Sequence, residues 1–486
     1  MTSQSIDRRT LLGASAAVLL AATQAARGEE APAPGQKKLS ELIADFVVGF
    51  DLGAVPPLAI ERARLAFTDT MGVMLAGSRE KVAQIACDMV KAEGSAPQAS
   101  VVGQVFRASP QLAALANGVA AHAMDYDFSY IMGQPMVSII PALLPLAETA
   151  GTTQKEVMAA FIVGFEVASR LARANTTQSL AGGWHAVGTI GTTAAAVACA
   201  RLMRVPAAQI VDAVGISASL AGGFSANFGT MTKPLHAGQA ARNGMMAAFL
   251  AQRGFTASAV ALEGNNGYFR AFARGLDVTF APFHDLGRVW DIAERGFRPK
   301  LYPCGGLSHT AIDATLELRD QLLPRMADID RITASITRYA AARIGDKYPV
   351  SIENAKFSMP YVAGYTLVHG APKLAAFTES AINDAQVRNA AKLVAVAIDP
   401  EFADVFAESP SRLIVGFKDG TKVEKLRYYA SGTQQFPLTS AQVEGKFMDC
   451  AAQAVSRDTA DTIFAAMQTL GEAPSFDALW PLVRRG

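Results

Sequence analysis

Between Leu39 and about Leu286 the apolar residues recur at spacings of three and four, the signature of amphipathic or buried helices. Ser40-Glu41 opens the first such stretch, and Pro56-Pro57 starts a second over Leu58 to Leu75, closed by Gly77. Gln111 to Ala121 and Val137 to Ala147 form two further runs. Val157 to Ala172 follows Thr152-Thr153-Gln154-Lys155-Glu156. Val187 to Met203 is so rich in Ala, Gly and Thr that a helix there must be packed on nearly every side. Pro206 opens another helix, and Gly238 to Gly254 carries one more.

The pattern changes after about Phe297. Arg331 to Thr337 alternates with period two, and Lys392 to Ile398 is short and apolar. Leu413 to Phe417 and Lys422 to Leu426 flank Lys418-Asp419-Gly420-Thr421, a hairpin signal. Helical patterns lie between these strands at Thr310 to Leu323, Phe357 to Val368 and Asp384 to Lys392. Gln442 to Val455 and Asp458 to Leu470 return to helix. The expected architecture is mainly α. A large all-helical domain (residues 39–297 and 438–486) is interrupted by a smaller α+β insertion (residues 298–437), with a substrate cleft between them.

Composition adds limits. Half of the 486 residues are hydrophobic, enough for a sizeable core and more than one domain. A net charge of +1, with no basic block beyond the N-terminus, offers nucleic acid no electrostatic footprint. Cys87, Cys199, Cys304 and Cys450 are widely separated and form no C-x-x-C pair, so no metal site is expected. Asp7-Arg8-Arg9-Thr10-Leu11-Leu12, followed by a short apolar run and small residues up to Gly28, reads as a twin-arginine export signal over residues 1–28. Residues 29–38 read as a linker, and the mature protein is expected in the periplasm without stable membrane insertion.

Chemistry concentrates in five polar spots. Ala121 to Tyr130 holds Asp125 and Asp127, two acids between apolar helices that need cationic partners or a chemical role. The others are Gly182 to Thr189 with His185, Lys233 to Ala241 with Lys233 and His236, Glu263 to Tyr268, and Lys300 to His309. Three of these are loops entering helices, where backbone N–H groups favour anions. Together with Lys233, Lys300, His185, His236 and His309 they suit a small carboxylate substrate. His309 is the candidate general acid or base, because imidazole titrates near neutral pH.

These landmarks resemble the MmgE/PrpD family: Asp69-Thr70-Met71-Gly72, Asn117-Gly118 through Asp127, Trp184-His185 to Ala195, Lys233 to Gly254, Lys300 to Asp313 and Glu444-Gly445-Lys446-Phe447. The resemblance spans about Leu39 to Leu482. It implies a helical domain with an α+β lid, a homodimer, and proton, water or carboxyl transfer beside a carboxylate without metal or other cofactor. By position, Asp125 matches the first acid of the family's motif, Ser129 its Thr, Lys233 the substrate lysine, His309 the lid histidine and His185 another pocket histidine. Tyr339 matches the lid tyrosine, with Tyr348 as the alternative. Two positions depart from the family pattern, Phe128 for an Asp and Gln134 for a His, and they point to a less charged substrate or a different reaction. The implied function is a lyase, either hydro-lyase or carboxy-lyase, with an epimerase or an inactive carboxylate-binding protein as alternatives. Asp125 is expected to pair with His185 and His309, leaving Lys233 for the substrate.

Overall fold

The computed structural model describes residues 37–129, 133–174, 182–273, 277–403 and 409–484. The segment read as an export signal, residues 1–28, lies outside the described residues. The helical pattern holds with small shifts at the ends. It forms α1 (Pro57–Gly77), α2 (Pro110–His122), α3 (Met136–Ala150), α4 (Gln154–Ala174), α5 (Ala186–Leu202) and α6 (Thr232–Gln252). Of α5, Arg201 alone is not buried, as its small-residue composition requires. A two-residue antiparallel ladder, Ala99–Ser100 with Arg107–Ala108, escaped the sequence reading because it is too short to show alternation.

Close approach of two helices fixes where the acidic loop after α2 can sit. A Cβ on Gly118 of α2 would lie 2.7 Å from the Gly238 Cα of α6, and one on Gly238 would lie 2.4 Å from the Leu115 carbonyl oxygen. Backbone therefore touches backbone, and neither position tolerates a side chain without a shift that costs roughly 1–3 kcal/mol. This contact holds the C-terminal end of α2 against the first turns of α6.

The remainder builds a second core. α7 (His309–Leu322) and the helix Met359–His369 cover a four-stranded mixed sheet of β1 (Ile329–Ile336), β2 (Val394–Ile398), β3 (Ser411–Phe417) and β4 (Lys422–Arg427). The strand order is β2-β1-β3-β4, with β1 and β2 parallel and the other pairs antiparallel. Strand β3 alternates buried and partly buried residues, as a one-sided sheet demands. Gly420, with φ +82°, supplies the left-handed residue of the β3–β4 turn.

Helix α8 (Ser440–Ala451) and the helix Arg457–Gln468 pack on α1, and Phe447, Ile463 and Met467 join the first core. The buried Lys446 donates 2.7 Å to the Tyr126 carbonyl and pairs at 2.5 Å with Asp69 of α1. Among the described residues no helix is long and apolar enough to cross a membrane.

Candidate active site

Helix α2 ends at His122, and the chain turns sharply. Asp125 takes φ +55°, a left-handed conformation that residues with a Cβ adopt at a cost unless their surroundings hold them there. Here the surroundings do. Lys233 Nζ, from the first turn of α6, donates 2.5 Å to Asp125 Oδ1. Lys300 Nζ donates 2.5 Å to the Asp125 carbonyl oxygen and lies 3.1 Å from Oδ2. The next residues are zipped to the segment carrying Lys300: Ser129 and Arg298 exchange backbone hydrogen bonds of 2.9 and 2.8 Å, and the Tyr126 hydroxyl donates 3.0 Å to the Leu301 carbonyl.

A cavity of about 680 Å³ opens beside this loop. Asp125, Ser129, Gln134, His185, Lys233, Lys300 and Tyr339 all line it, together with Arg295, Arg298 and Arg343. The wall thus carries five basic side chains against one carboxylate. Phe228, Leu307, Ile344 and Phe357 supply its apolar parts. Arg343 stacks 3.6 Å above the Tyr339 ring and so fixes that phenol at the wall. Tyr348, the alternative tyrosine, instead donates 2.8 Å to the Ile382 carbonyl away from the cavity.

Electrostatics follow from burial and these neighbours. Burial alone would raise the Asp125 carboxyl. Lys233 and Lys300, with His122 behind them, more than reverse this and hold it well below the usual carboxylate range. Burial, then His122 and Lys233, push His185 well below the ordinary imidazole value, so it is neutral at pH 7. His236 is lowered by the same causes in the same order.

The sequence reading placed several features differently. Asp125 makes no hydrogen bond with His185 or His309, because the two lysines occupy both of its oxygens. His309 does not line the cavity. It is wholly buried in the second core, its ring edge-on to Tyr302 at 5.1 Å, and burial followed by Arg298 and Lys300 depresses it well below the ordinary value. His236 also lies behind the wall, its Nδ1 3.0 Å from His185 Nδ1. Lys233 and His236 belong to α6 itself, which begins at Thr232, earlier than the expected start at Gly238. Phe128 packs on Phe297 at 4.7 Å and is fully buried, so the departure at this position removes no charge from the cavity wall. Gln134 does face the cavity.

His122, absent from the sequence-derived set, pairs at 3.0 Å with Asp127 and stacks on His185 at 5.5 Å. His122, Asp125 and Asp127 bring three potential ligand atoms within 4.8 Å of one another. The two ammonium groups already on Asp125 would repel a cation placed there, so the cluster suits an anion-facing site better than a metal.

Comparison with known proteins places this arrangement in a family. The MmgE/PrpD N-terminal domain matches residues 41–281, and the MmgE/PrpD C-terminal domain matches residues 302–472. The chain belongs to the MmgE/PrpD family. It is 28% identical over 458 residues to cis-aconitate decarboxylase of Homo sapiens, covering 92% of this chain and 95% of that protein. It is 27% identical over 459 residues to the Mus musculus cis-aconitate decarboxylase, covering 92% and 94%. The Aspergillus terreus cis-aconitate decarboxylase is 26% identical over 421 residues, covering 81% and 85%. With decarboxylases aligned along most of its length, this MmgE/PrpD chain is an enzyme of the lyase kind.

The arginines at this family member's cavity were missed in the sequence. Arg295 and Arg298 sit in a stretch that reads as ordinary polar loop, and Arg343 follows a short helix. The available signal was the cationic density of Arg295, Arg298 and Lys300 within six residues.

Proposed function

We propose that the protein is a carboxy-lyase acting on a small unsaturated polycarboxylate, through general acid catalysis by its own side chains. The observation that carries this reading is the excess of cations on the cavity wall: Lys233, Lys300, Arg298 and Arg343 face a single acid, Asp125, while the charge of Arg295 is met by Asp291. That excess argues against the less charged substrate inferred from the Phe128 and Gln134 positions. Decarboxylation leaves an electron pair on carbon, which a neighbouring carboxylate accepts as an enolate-like dianion. Lys233 and Lys300 are placed to neutralise it, and Asp125 fixes both ammonium groups in position before substrate arrives. A proton must then reach the carbon. His185 lines the cavity and His309 does not, so the acid role moves to His185. The relatives' named substrate, cis-aconitate, has the charge and size such a wall fits.

The test is release of carbon dioxide by the purified protein from cis-aconitate and alkyl-substituted analogues, with citrate as the hydroxylated comparison. Water loss from citrate with no decarboxylation would replace this reading with a hydro-lyase. In this proposal the sheet-bearing part acts as the lid, two copies associate through the helical part, and the twin-arginine segment directs export. Light scattering and cell fractionation check the last two.

A further inference from the structure

Behind the cavity wall four buried groups form a row: Asp127, His122, His185 and His236. His122 Nδ1 lies 3.0 Å from Asp127 Oδ1. The His122 ring stacks on that of His185 with an interplanar angle of 24°. His185 Nδ1 lies 3.0 Å from His236 Nδ1.

The last contact constrains protons. Two imidazoles joined through their Nδ1 atoms hold one proton between them: one ring donates and the other accepts. Neither ring is free to turn out of this contact. The His185 ring is edge-on to Phe228 at 4.9 Å, and its backbone N–H donates 2.8 Å to the Gly223 carbonyl. The His236 ring is pressed against Gly223, where a Cβ would come within 3.0 Å of it. Each histidine retains 4% exposure. With Nδ1 taken, Nε2 is the His185 nitrogen left for a cavity ligand.

We propose that His236 is a positioning residue that donates its Nδ1 proton to His185 Nδ1, fixing His185 as the tautomer that presents Nε2–H to the substrate. This rests on the carboxy-lyase reading, which requires an acid at the cavity wall. The groups facing the pair are His122 and Asp127 from the end of α2 and the loop after it, Asp125 from the same loop, and Lys233 from α6. Burial, then His122 and Lys233, disfavours an added positive charge, which keeps the pair neutral. In turnover the bond to the departing carboxylate breaks, CO₂ leaves, and the released electron pair forms a C–H bond with the His185 Nε2 proton. As that proton leaves, the shared proton moves to His185 Nδ1 and His236 takes one from water at Nε2, so neither ring is left as an imidazolate. After product release water in the cavity restores the His185 Nε2–H, the shared proton returns to His236 Nδ1, and His236 Nε2 gives its proton back to water. One proton is consumed per CO₂, as decarboxylation requires.

Two variants and one spectrum test this. His236→Leu removes the donor, whereas His236→Asn keeps an amide N–H near the Nδ1 position. We expect His236→Leu to lower kcat about 100-fold or more with KM within about threefold, the usual weight of a positioned acid, and His236→Asn to recover at least about tenfold of that loss. Unchanged kcat in His236→Leu, or equal kcat in the two variants, overturns the assignment. Independently of turnover, ¹⁵N spectra of histidine-labelled wild type at pH 7 should show His185 protonated at Nε2 and His236 at Nδ1. The reverse tautomers, or two bare Nδ1 atoms, also overturn it. If the wild type decarboxylates nothing, the carboxy-lyase reading falls by itself and the spectrum still decides the tautomer.

Discussion

Two clusters of buried charge lie in the helical part of this protein, and they are built differently. In α4 the fully buried Arg170 pairs at 2.5 Å with Glu166 and at 3.0 Å with both Asp285 and Asp291. Arg173 and Arg295 complete the set on Asp291. Three acids meet three arginines, and Glu166 also accepts the backbone N–H groups of Asp291 and Ile292 at 3.0 and 2.9 Å. That cluster closes on itself. Around Asp125 the charges do not close, because two lysines share one acid and further cations face the same cavity. A cluster that only holds the fold cancels its own field, whereas a binding site keeps a surplus aimed at empty space. Burial and ion pairing alone would not have separated the two.

The comparison breaks most severely at Arg170. Arg170→Met leaves Glu166 and Asp291 buried without their main partner, and unfolding free energy should fall by about 3–5 kcal/mol. Urea denaturation measures it, and a loss under about 1 kcal/mol would mean that the cluster contributes little to the fold. Next comes Lys233→Met. It should cut kcat/KM by about 10²–10³-fold, the weight of one charge-stabilising donor, while stability moves by less than about 1 kcal/mol because Lys300 still neutralises Asp125. Loss of activity in step with loss of stability would erase the distinction between the clusters.

A third prediction concerns pH. Burial, opposed by Lys446, pushes the Asp69 carboxyl up to about 6. A carboxyl raised in the fold contributes stability that is full below its unfolded value near 3.8 and is lost as pH rises through about 6. The stability of wild type relative to Asp69→Asn should therefore fall between about pH 4 and about pH 6, read by denaturant midpoints. A rise over that interval would show that the Lys446 pair outweighs burial. The smallest effect is expected at Gln134, where an uncharged contact is lost: Gln134→Ala should raise KM about three- to tenfold with kcat nearly unchanged.

Periodicity made the helices, the four long strands and the return of Ser440–Ala451 to the first core legible, since each buries one repeated face. Asp125, Ser129, His185, Lys233 and Lys300 were legible as polar residues in small or apolar surroundings, Gln134 and Tyr339 only through the family resemblance, and all seven share one cavity. What was not legible is which way a side chain turns. Lys300 reaches Asp125 across 175 residues through a loop-to-loop bridge at Ser129 and Arg298 that no local pattern announces. His309 begins a helix, a position that suggests access, yet its ring turns inward onto Tyr302. The left-handed Asp125 is likewise invisible in sequence, because it is imposed by partners that arrive from elsewhere.

Lys446 also orders events in time. It ties the Tyr126 carbonyl and Asp69 to a helix that leaves the ribosome 320 residues after Tyr126. During synthesis the acidic loop emerges long before the ammonium group that anchors it, so a nascent chain carries Asp125 and Asp127 without that anchor. The final setting of that loop is thereby deferred until the last helices have docked.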